Sequence, residues 1–409
     1  MKKILFITSR YLPNPSSNGI NTNNIIQELI KRGHKVDCIS VKYDSEANHE
    51  VINDIPIYRV SKSLYSQISD FLLFNNGNKV RKILYRLLRI LRAIKLLLLL
   101  PIFPNVDVFQ SWKVYKLANS LHKENKYDCI IGVFKPPSNI EAIKKINKKY
   151  QDITVIGYYL DLITSFEKPK IMSNQAYQQL IYKGSINSIK HLDFVLMAKS
   201  GKKIYSNDQY SSLKDKIYYV DFPTLKIDYL DSIDVISEQN QNIVMTFAGT
   251  LDQKYRNPEI LITNLVQTAK LVGKIELNLY GGGNCNKIIE KYSKDENLII
   301  NNWGFRPHHE VLDKMNKSDF LINISNKMAY AVPSKIFEIF SFGKPIINLR
   351  FDDNDITNPY FDKYPSAFTI NADTKGDRQV ADLVDFINCE VGNTYDRNTI
   401  KNNFIENTP

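Results

Sequence analysis

The sequence predicts an α/β protein made of two doubly wound, Rossmann-like domains facing a central cleft, and three observations carry that prediction. Short apolar runs alternate with amphipathic stretches at helical spacing, as they do where a parallel sheet is covered on both faces. The alternation lapses into polar and acidic residues between about Lys226 and Gln241, then restarts. At 409 residues the chain is long enough for two cores.

In the first half, Ile4 to Thr8 reads as a buried strand, followed by a loop from Ser9 to Ile20 rich in Pro, Asn and Ser. A helix is expected from about Asn21 to Lys31, with Gly33 stopping it and Lys35 to Val41 as the next strand. Further strands are expected at Cys129 to Phe134, Thr154 to Tyr159 and Phe194 to Met197, with a Lys-rich helix near Ile140 to Lys149. After the lapse come Ile243 to Phe247, a helix near Glu259 to Val272, Ile275 to Tyr280 and Leu298 to Ile300. A helix near His309 to Asn316 and a strand at Phe320 to Ile324 close the series. The expected domains are thus 1–225, a linker at 226–241, and 242–385, with 386–409 a tail or helix free to pack back on the first domain.

Composition is that of a globular protein, 43% hydrophobic and 24% charged, without a low-complexity tract or solenoid repeat. Cys38, Cys129, Cys285 and Cys389 lie far apart and are expected as small buried hydrophobes rather than disulfide partners or metal ligands. His308-His309 is the sole histidine pair, and no metal site is expected. The apolar run after Met1-Lys2-Lys3 is too short for a signal peptide, so a cytoplasmic location is expected.

The formal charge of +11 is uneven. Arg81, Lys82, Arg86, Arg89, Arg92 and Lys95 recur three or four residues apart among Ile and Leu, which makes residues 79–100 an amphipathic helix with a cationic stripe. Its apolar run falls short of the ~20 residues that span a bilayer. Two readings stay open: a helix lying in the interface of an anionic membrane, or a core helix with a solvated face. No nucleic-acid motif accompanies the stripe, and nucleic acid is not an expected partner.

The most informative segment runs from Tyr330 to Ile347. Pro333 fixes φ where a helix begins, Ser334 can cap it, and Gly343 ends it before the strand opened by Ile346-Ile347. Free N–H groups at such a helix start, with Lys335 beside them, suit phosphate, and Glu338 one turn on can accept hydrogen bonds from sugar or ribose hydroxyls. Loops at other strand ends agree. Phe247-Ala248-Gly249-Thr250 precedes Lys254 and Arg256, whose planar fork matches phosphate. Tyr280-Gly281-Gly282-Gly283 and Trp303-Gly304-Phe305 follow, and Gly19 stands ahead of a helix in the first domain. Asp161, in Tyr158-Tyr159-Leu160-Asp161-Leu162, either orients or deprotonates an acceptor hydroxyl or caps the turn after it.

In their order these motifs resemble the retaining GT-B glycosyltransferases with a Glu-x7-Glu signature, over most of the chain. Lys31-Arg32-Gly33-His34-Lys35-Val36 is similar to the family's opening "rGH-V", and Pro333 to Pro345 to its "PsKlfEymafGkPvi". The resemblance implies a UDP- or GDP-linked sugar donor as substrate, no cofactor or metal, and a glycan or lipid-linked acceptor. It implies that Glu338 binds the donor ribose and that N–H groups around Ser334 and Lys335 meet the diphosphate. Arg256 falls at the clamp lysine, and Phe305 lines the nucleobase pocket. Donor contacts also fall to Gly19, Gly249, Thr250, Lys254, Gly281 and Gly282; catalytic roles fall to Asp161 and Arg256. Two positions depart from the family: Thr250 replaces a clamp arginine, and Tyr330 replaces the first signature glutamate.

Overall fold

The computed structural model describes all residues except 44–45, 74–78, 105–106, 167, 170–171, 226–240, 328–331, 334 and 374–376. The chain divides into two compact units, Met1–Pro223 and Thr224–Pro409. The expected linker lies almost wholly outside the described residues.

The first unit runs β1 (Lys3–Ile7), α1 (Ser17–Lys31), β2 (Lys35–Val41), β3 (His49–Ile52), β4 (Ile55–Val60), α2 (Leu64–Leu73), α3 (Lys79–Leu98), α4 (Val108–Asn125), β5 (Cys129–Val133), α5 (Pro137–Lys149), β6 (Thr154–Tyr159), α6 (Asn174–Ile189), β7 (Phe194–Ala198), α7 (Lys202–Tyr205) and β8 (Ile217–Val220). These strands form one sheet in the order β3-β4-β2-β1-β5-β6-β7-β8, parallel except for the β3–β4 hairpin. Strand order reverses between β1 and β5, the place where such sheets bind ligands. Buried Leu5, Ile7, Ile39, Ile130, Val155 and Val195 form the core of this unit.

Helix α1 starts at Ser17, four residues before the expected Asn21. Ser16 caps it, its Oγ accepting from Gly19 N at 3.2 Å. The reason the start was misplaced is visible: the buried side of its first turns is polar, with Asn21, Thr22 and Asn24 inside. Gly19 therefore lies within the helix rather than ahead of it. A Cβ there would sit 2.3 Å from the carbonyl oxygen of Arg10, so its close approach is to the protein's own backbone.

The second unit runs β9 (Ile243–Ala248), α8 (Glu259–Val272), β10 (Ile275–Tyr280), α9 (Asn286–Tyr292), β11 (Leu298–Gly304), α10 (His308–Asn316), β12 (Phe320–Ile324), α11 (Lys335–Phe340), β13 (Ile346–Arg350), α12 (Asn358–Phe361), β14 (Ala367–Asn371), α13 (Asp377–Glu390) and α14 (Arg397–Asn403). Its sheet is parallel throughout, in the order β11-β10-β9-β12-β13-β14, and reverses between β9 and β12. Near-continuous apolar runs such as Phe320–Ile324, every residue buried, are what a sheet covered on both faces requires.

The C-terminal residues 386–409, expected to be free to return to the first domain, pack in the second unit. Tyr395 N donates to Gly343 O at 2.7 Å, and the Phe404 ring lies 4.9 Å from Phe340. Cys38 and Cys285 are buried as expected, whereas Cys389 is exposed; all four are free thiols.

Gly343 ends α11 with φ +64, and an added Cβ would meet Tyr395 O at 2.4 Å. Gly392 has φ +78 but open space around it. Gly343→Ala is expected to cost about 3 kcal/mol, from strain plus displaced backbone, and Gly392→Ala about 1 kcal/mol, from strain alone. Paired urea unfolding curves check this; equal losses would show that the contact between α11 and the C-terminal segment is not tight.

Candidate functional site

The site is built where β9, β10 and β11 run out of the sheet. Their backbones keep hydrogen-bonding beyond the strands: Gly249 N to Tyr280 O (2.8 Å), Gly281 N to Gly304 O (2.8 Å) and Leu251 N to Gly282 O (3.0 Å). A Cβ at Gly281, where φ is +124, would lie 2.1 Å from Gly249 O. One at Gly282 would lie 2.4 Å from the Phe305 ring. The close approach that these glycines permit is in the first place between strands. It leaves a cavity of about 260 Å³ lined by the glycine loops with Leu251, Leu279, Asn302, Trp303 and Phe305. Trp303 stacks on Tyr280 with ring centroids 6.4 Å apart, and its indole N–H donates to Asn278 Oδ1 at 2.7 Å. Phe305 is 81% exposed, so its ring face is open to a ligand.

The loop after β9 is folded around Asp252. Its Oδ1 accepts from Lys254 N (2.9 Å) and Tyr255 N (3.0 Å), and its Oδ2 from Asn284 Nδ2 (3.0 Å). Those backbone donors hold the carboxyl below its ordinary range. Asp252 and Arg256 also exchange backbone hydrogen bonds, so the carboxylate sets where Arg256 emerges. Arg256 Nε donates to Asn326 Oδ1 at 2.6 Å, which ties this loop to the one after β12. Burial lowers the Arg256 pKa, as expected for a guanidinium removed from water. Thr250 and Lys254 are exposed, with Lys254 Nζ 4.7 Å from the centre of the Tyr255 ring.

On α11, Glu338 stands between two basic groups. Its Oε2 lies 3.0 Å from Lys335 Nζ and its Oε1 3.4 Å from His308 Nε2. Oε1 is buried and accepts no hydrogen bond among the described residues. An acceptor held in that state is ready for a hydroxyl donor.

Gly249, Thr250, Lys254, Arg256, Gly281, Gly282, Phe305, Lys335 and Glu338 thus all lie on segments that follow the carboxyl ends of strands in one sheet. Ser334 and Tyr330 fall outside the described residues. Asp161 and Gly19 belong to the first unit. There, Asp161 Oδ1 lies 3.2 Å from Lys135 Nζ and its Oδ2 accepts from Asn18 Nδ2 at 3.0 Å, so both of its oxygens face side chains of neighbouring strand ends.

Sequence reasoning missed Asp252, Asn326, His308, Lys135 and Asn18. The Asp252 role had a signal, since Asp followed two and three residues on by backbone donors is an Asx turn. The others depend on which loops the sheet brings together. Among the described residues no group of three or more His, Cys, Asp or Glu is placed to hold a metal ion.

No protein-family model and no curated protein matches this sequence. Solved structures do. Sucrose-phosphate synthase from Thermosynechococcus elongatus is similar at 10% identity and TM-score 0.59, over 99% of this chain and 94% of that one. The lipopolysaccharide outer core galactosyltransferase WaaB matches at 16% identity and TM-score 0.54, over 99% and 95%. Anabaena Alr3699/HepE in complex with UDP and glucose matches at 12% identity and TM-score 0.52, over 100% and 93%. These likenesses show the fold class: two Rossmann-like parallel-sheet domains of the GT-B kind.

Replacing Asp252 by alanine is expected to speed amide exchange at Lys254 and Tyr255 several-fold, because both amides lose their acceptor. The sign with pH follows from the lowered pKa. The carboxylate's contribution is complete above the ordinary carboxylate range and is lost as pH falls through the lower folded value. Exchange mapped by mass spectrometry checks both; unchanged protection in the variant would remove Asp252 as the organiser of the loop.

Proposed function

We propose that this chain is a glycosyltransferase that moves a sugar from a UDP- or GDP-linked donor to a glycan or lipid-linked acceptor, with retention of anomeric configuration and without a metal. The observation that carries this reading is the convergence of Arg256, Lys335 and Glu338 with the glycine loops at one sheet edge. The three solved structures support it: two carry the names of sugar-handling enzymes and the third is bound to UDP and glucose.

In this reading the nucleobase enters the cavity beside Phe305 and Trp303, where an open aromatic face offers stacking. Glu338 accepts the ribose hydroxyls, its Oε1 gaining the hydrogen bond it lacks. Arg256, Lys254 and Lys335, with N–H groups near Ser334, meet the diphosphate, and Gly249, Thr250, Gly281 and Gly282 border it. When the anomeric C–O bond breaks, charge accumulates on the departing diphosphate, and groups fixed in advance stabilise it without reorganising. The Asn326 contact to Nε holds Arg256 while leaving its two terminal nitrogens to face phosphate. Asp161, supported by Lys135 and Asn18, orients the acceptor hydroxyl, with Gly19 next to Asn18 in helix α1. The enzyme works in the cytoplasm, and the basic stretch 79–100 brings it to the inner face of the membrane.

Thermal unfolding with UDP, GDP, ADP and CMP tests the donor site. A nucleotide at a hundred times its Kd is expected to add about 2.7 kcal/mol. Arg256→Ala and Glu338→Ala are each expected to weaken it roughly 10- to 100-fold, as loss of a charge-assisted hydrogen bond does. Turnover of the sugar nucleotide only in the presence of acceptor then establishes transfer. Nucleotide binding with no turnover of any donor would point instead to a silent binding subunit, the reading that Tyr330 at a signature glutamate position favours.

A further inference from the structure

We infer that α2, α3 and the first turn of α4 form one surface that docks into an anionic lipid bilayer, with α3 lying in the interface. An amphipathic helix in a globular protein normally turns its apolar stripe to the core. Helix α3 leaves its stripe outside. Ile83, Leu87, Ile90, Leu91, Ile94 and Leu98 are all exposed, between 49% and 75%. At helical spacing they share an arc of about 100°. Among the described residues, the principal packing partners of α3 are α2 and the 3-10 turn Leu100–Ile102.

Its neighbours extend the same character. Leu64, Ile68 and Phe71, spaced to share one face of α2, are exposed as well, Phe71 at 62%. At the start of α4, Phe109 and Trp112 are exposed at 76% and 50%. Lys113 Nζ donates to Ser61 Oγ at 2.8 Å, which places this aromatic pair beside the segment leading into α2. So large an apolar area, shared by three helices, exceeds the scattered exposure of ordinary surfaces.

Charge identifies the occupant. The α3 sequence holds seven Lys and Arg residues and no Asp or Glu. A water-soluble protein partner would need acidic groups around an apolar groove; a bilayer containing anionic lipid supplies both over any length of helix. Trp, as at position 112, favours the headgroup level of a bilayer. No described helix is long and apolar enough to cross a membrane, which suits a helix lying in the plane. The inference deepens the membrane-facing reading of the enzyme and rests on it, while the nucleotide-binding test stands or falls separately.

The test is co-sedimentation of the full chain with vesicles of phosphatidylcholine alone and of phosphatidylcholine with roughly one third phosphatidylglycerol, the latter expected to bind at least tenfold more tightly and to release protein at high salt. Leu87→Asp with Ile90→Asp is expected to abolish binding to both; Arg86→Glu with Arg89→Glu is expected to abolish the preference for anionic lipid. Circular dichroism and an unchanged thermal unfolding midpoint show that each variant is folded. The chain has two tryptophans, so in a Trp303→Phe background Trp112 alone reports. Its emission is expected to shift to the blue with anionic vesicles. Folded wild-type protein that stays in the supernatant, or a Leu87→Asp/Ile90→Asp variant that binds as wild type does, overturns the inference. So does concentration-dependent self-association abolished by that variant without vesicle binding, which would assign the face to a second copy of the chain.

Discussion

Beyond the last ladder bonds of β9 and β10 the two backbones stay paired because no side chain separates them at Gly281 and Gly283, while β11 joins them after a register shift at Leu279/Tyr280. A Cβ at either position would lie about 2 Å from a carbonyl oxygen, at 2.1 Å and 2.0 Å respectively. The rest of the second unit's edge depends on that contact. It fixes the start of the loop that Asp252 folds, hence where Arg256 leaves the backbone, and it sets Phe305 against Gly282. Glycine here works first as a spacer between strands, and the room for a ligand follows from that spacing.

Electrostatics then distinguishes two basic groups of the candidate site, Arg256 and Lys335. Arg256 is partly desolvated and its Nε is occupied by a neutral amide, so among the described residues its charge is held without an acidic partner. Lys335 is paired with Glu338, and that pair is partly open to water. An incoming diphosphate would compete with Glu338 for the ammonium, and a ribose hydroxyl would replace the ammonium at the carboxylate. Such an exchange keeps every charge partnered in both states, so the desolvation penalty of an isolated ion never arises.

Much of the fold was legible because parallel strands buried on both faces read as uninterrupted apolar runs. The bounds of Lys35–Val41, Thr154–Tyr159, Ile275–Tyr280 and Phe320–Ile324 match the structure residue for residue. The β3–β4 hairpin was missed, although Asn53-Asp54, with φ of +52 and +63, is the kind of pair that a two-residue turn selects. Without glycine, and with no buried residue in β3, its alternation was faint. Helix α1 was shortened because its buried face is amide and hydroxyl rather than hydrocarbon. Of the site, residues that contribute backbone or charge locally could be read, such as Arg256 and Glu338. Those that act through another residue, such as Asn326 on Arg256 and His308 beside Glu338, are 70 and 30 positions away in sequence, and only the strand order brings them near.

Helix α3 marks the limit of reading amphipathicity from sequence. Periodicity establishes that one side of a helix is apolar; it does not establish what that side faces, because core and bilayer are alike to hydrocarbon. What separates the two is the fate of the stripe after folding. In α5 the residues Ile140, Ile143 and Ile146 are driven into the core, while Lys148 and Lys149 meet water. In α3 a more hydrophobic stripe is left outside, next to a helix and an aromatic pair that are also left outside. Folding removes apolar surface from water wherever it can. Three elements that keep theirs exposed, around a stretch without a single acidic residue, are what the proposed bilayer partner would cover.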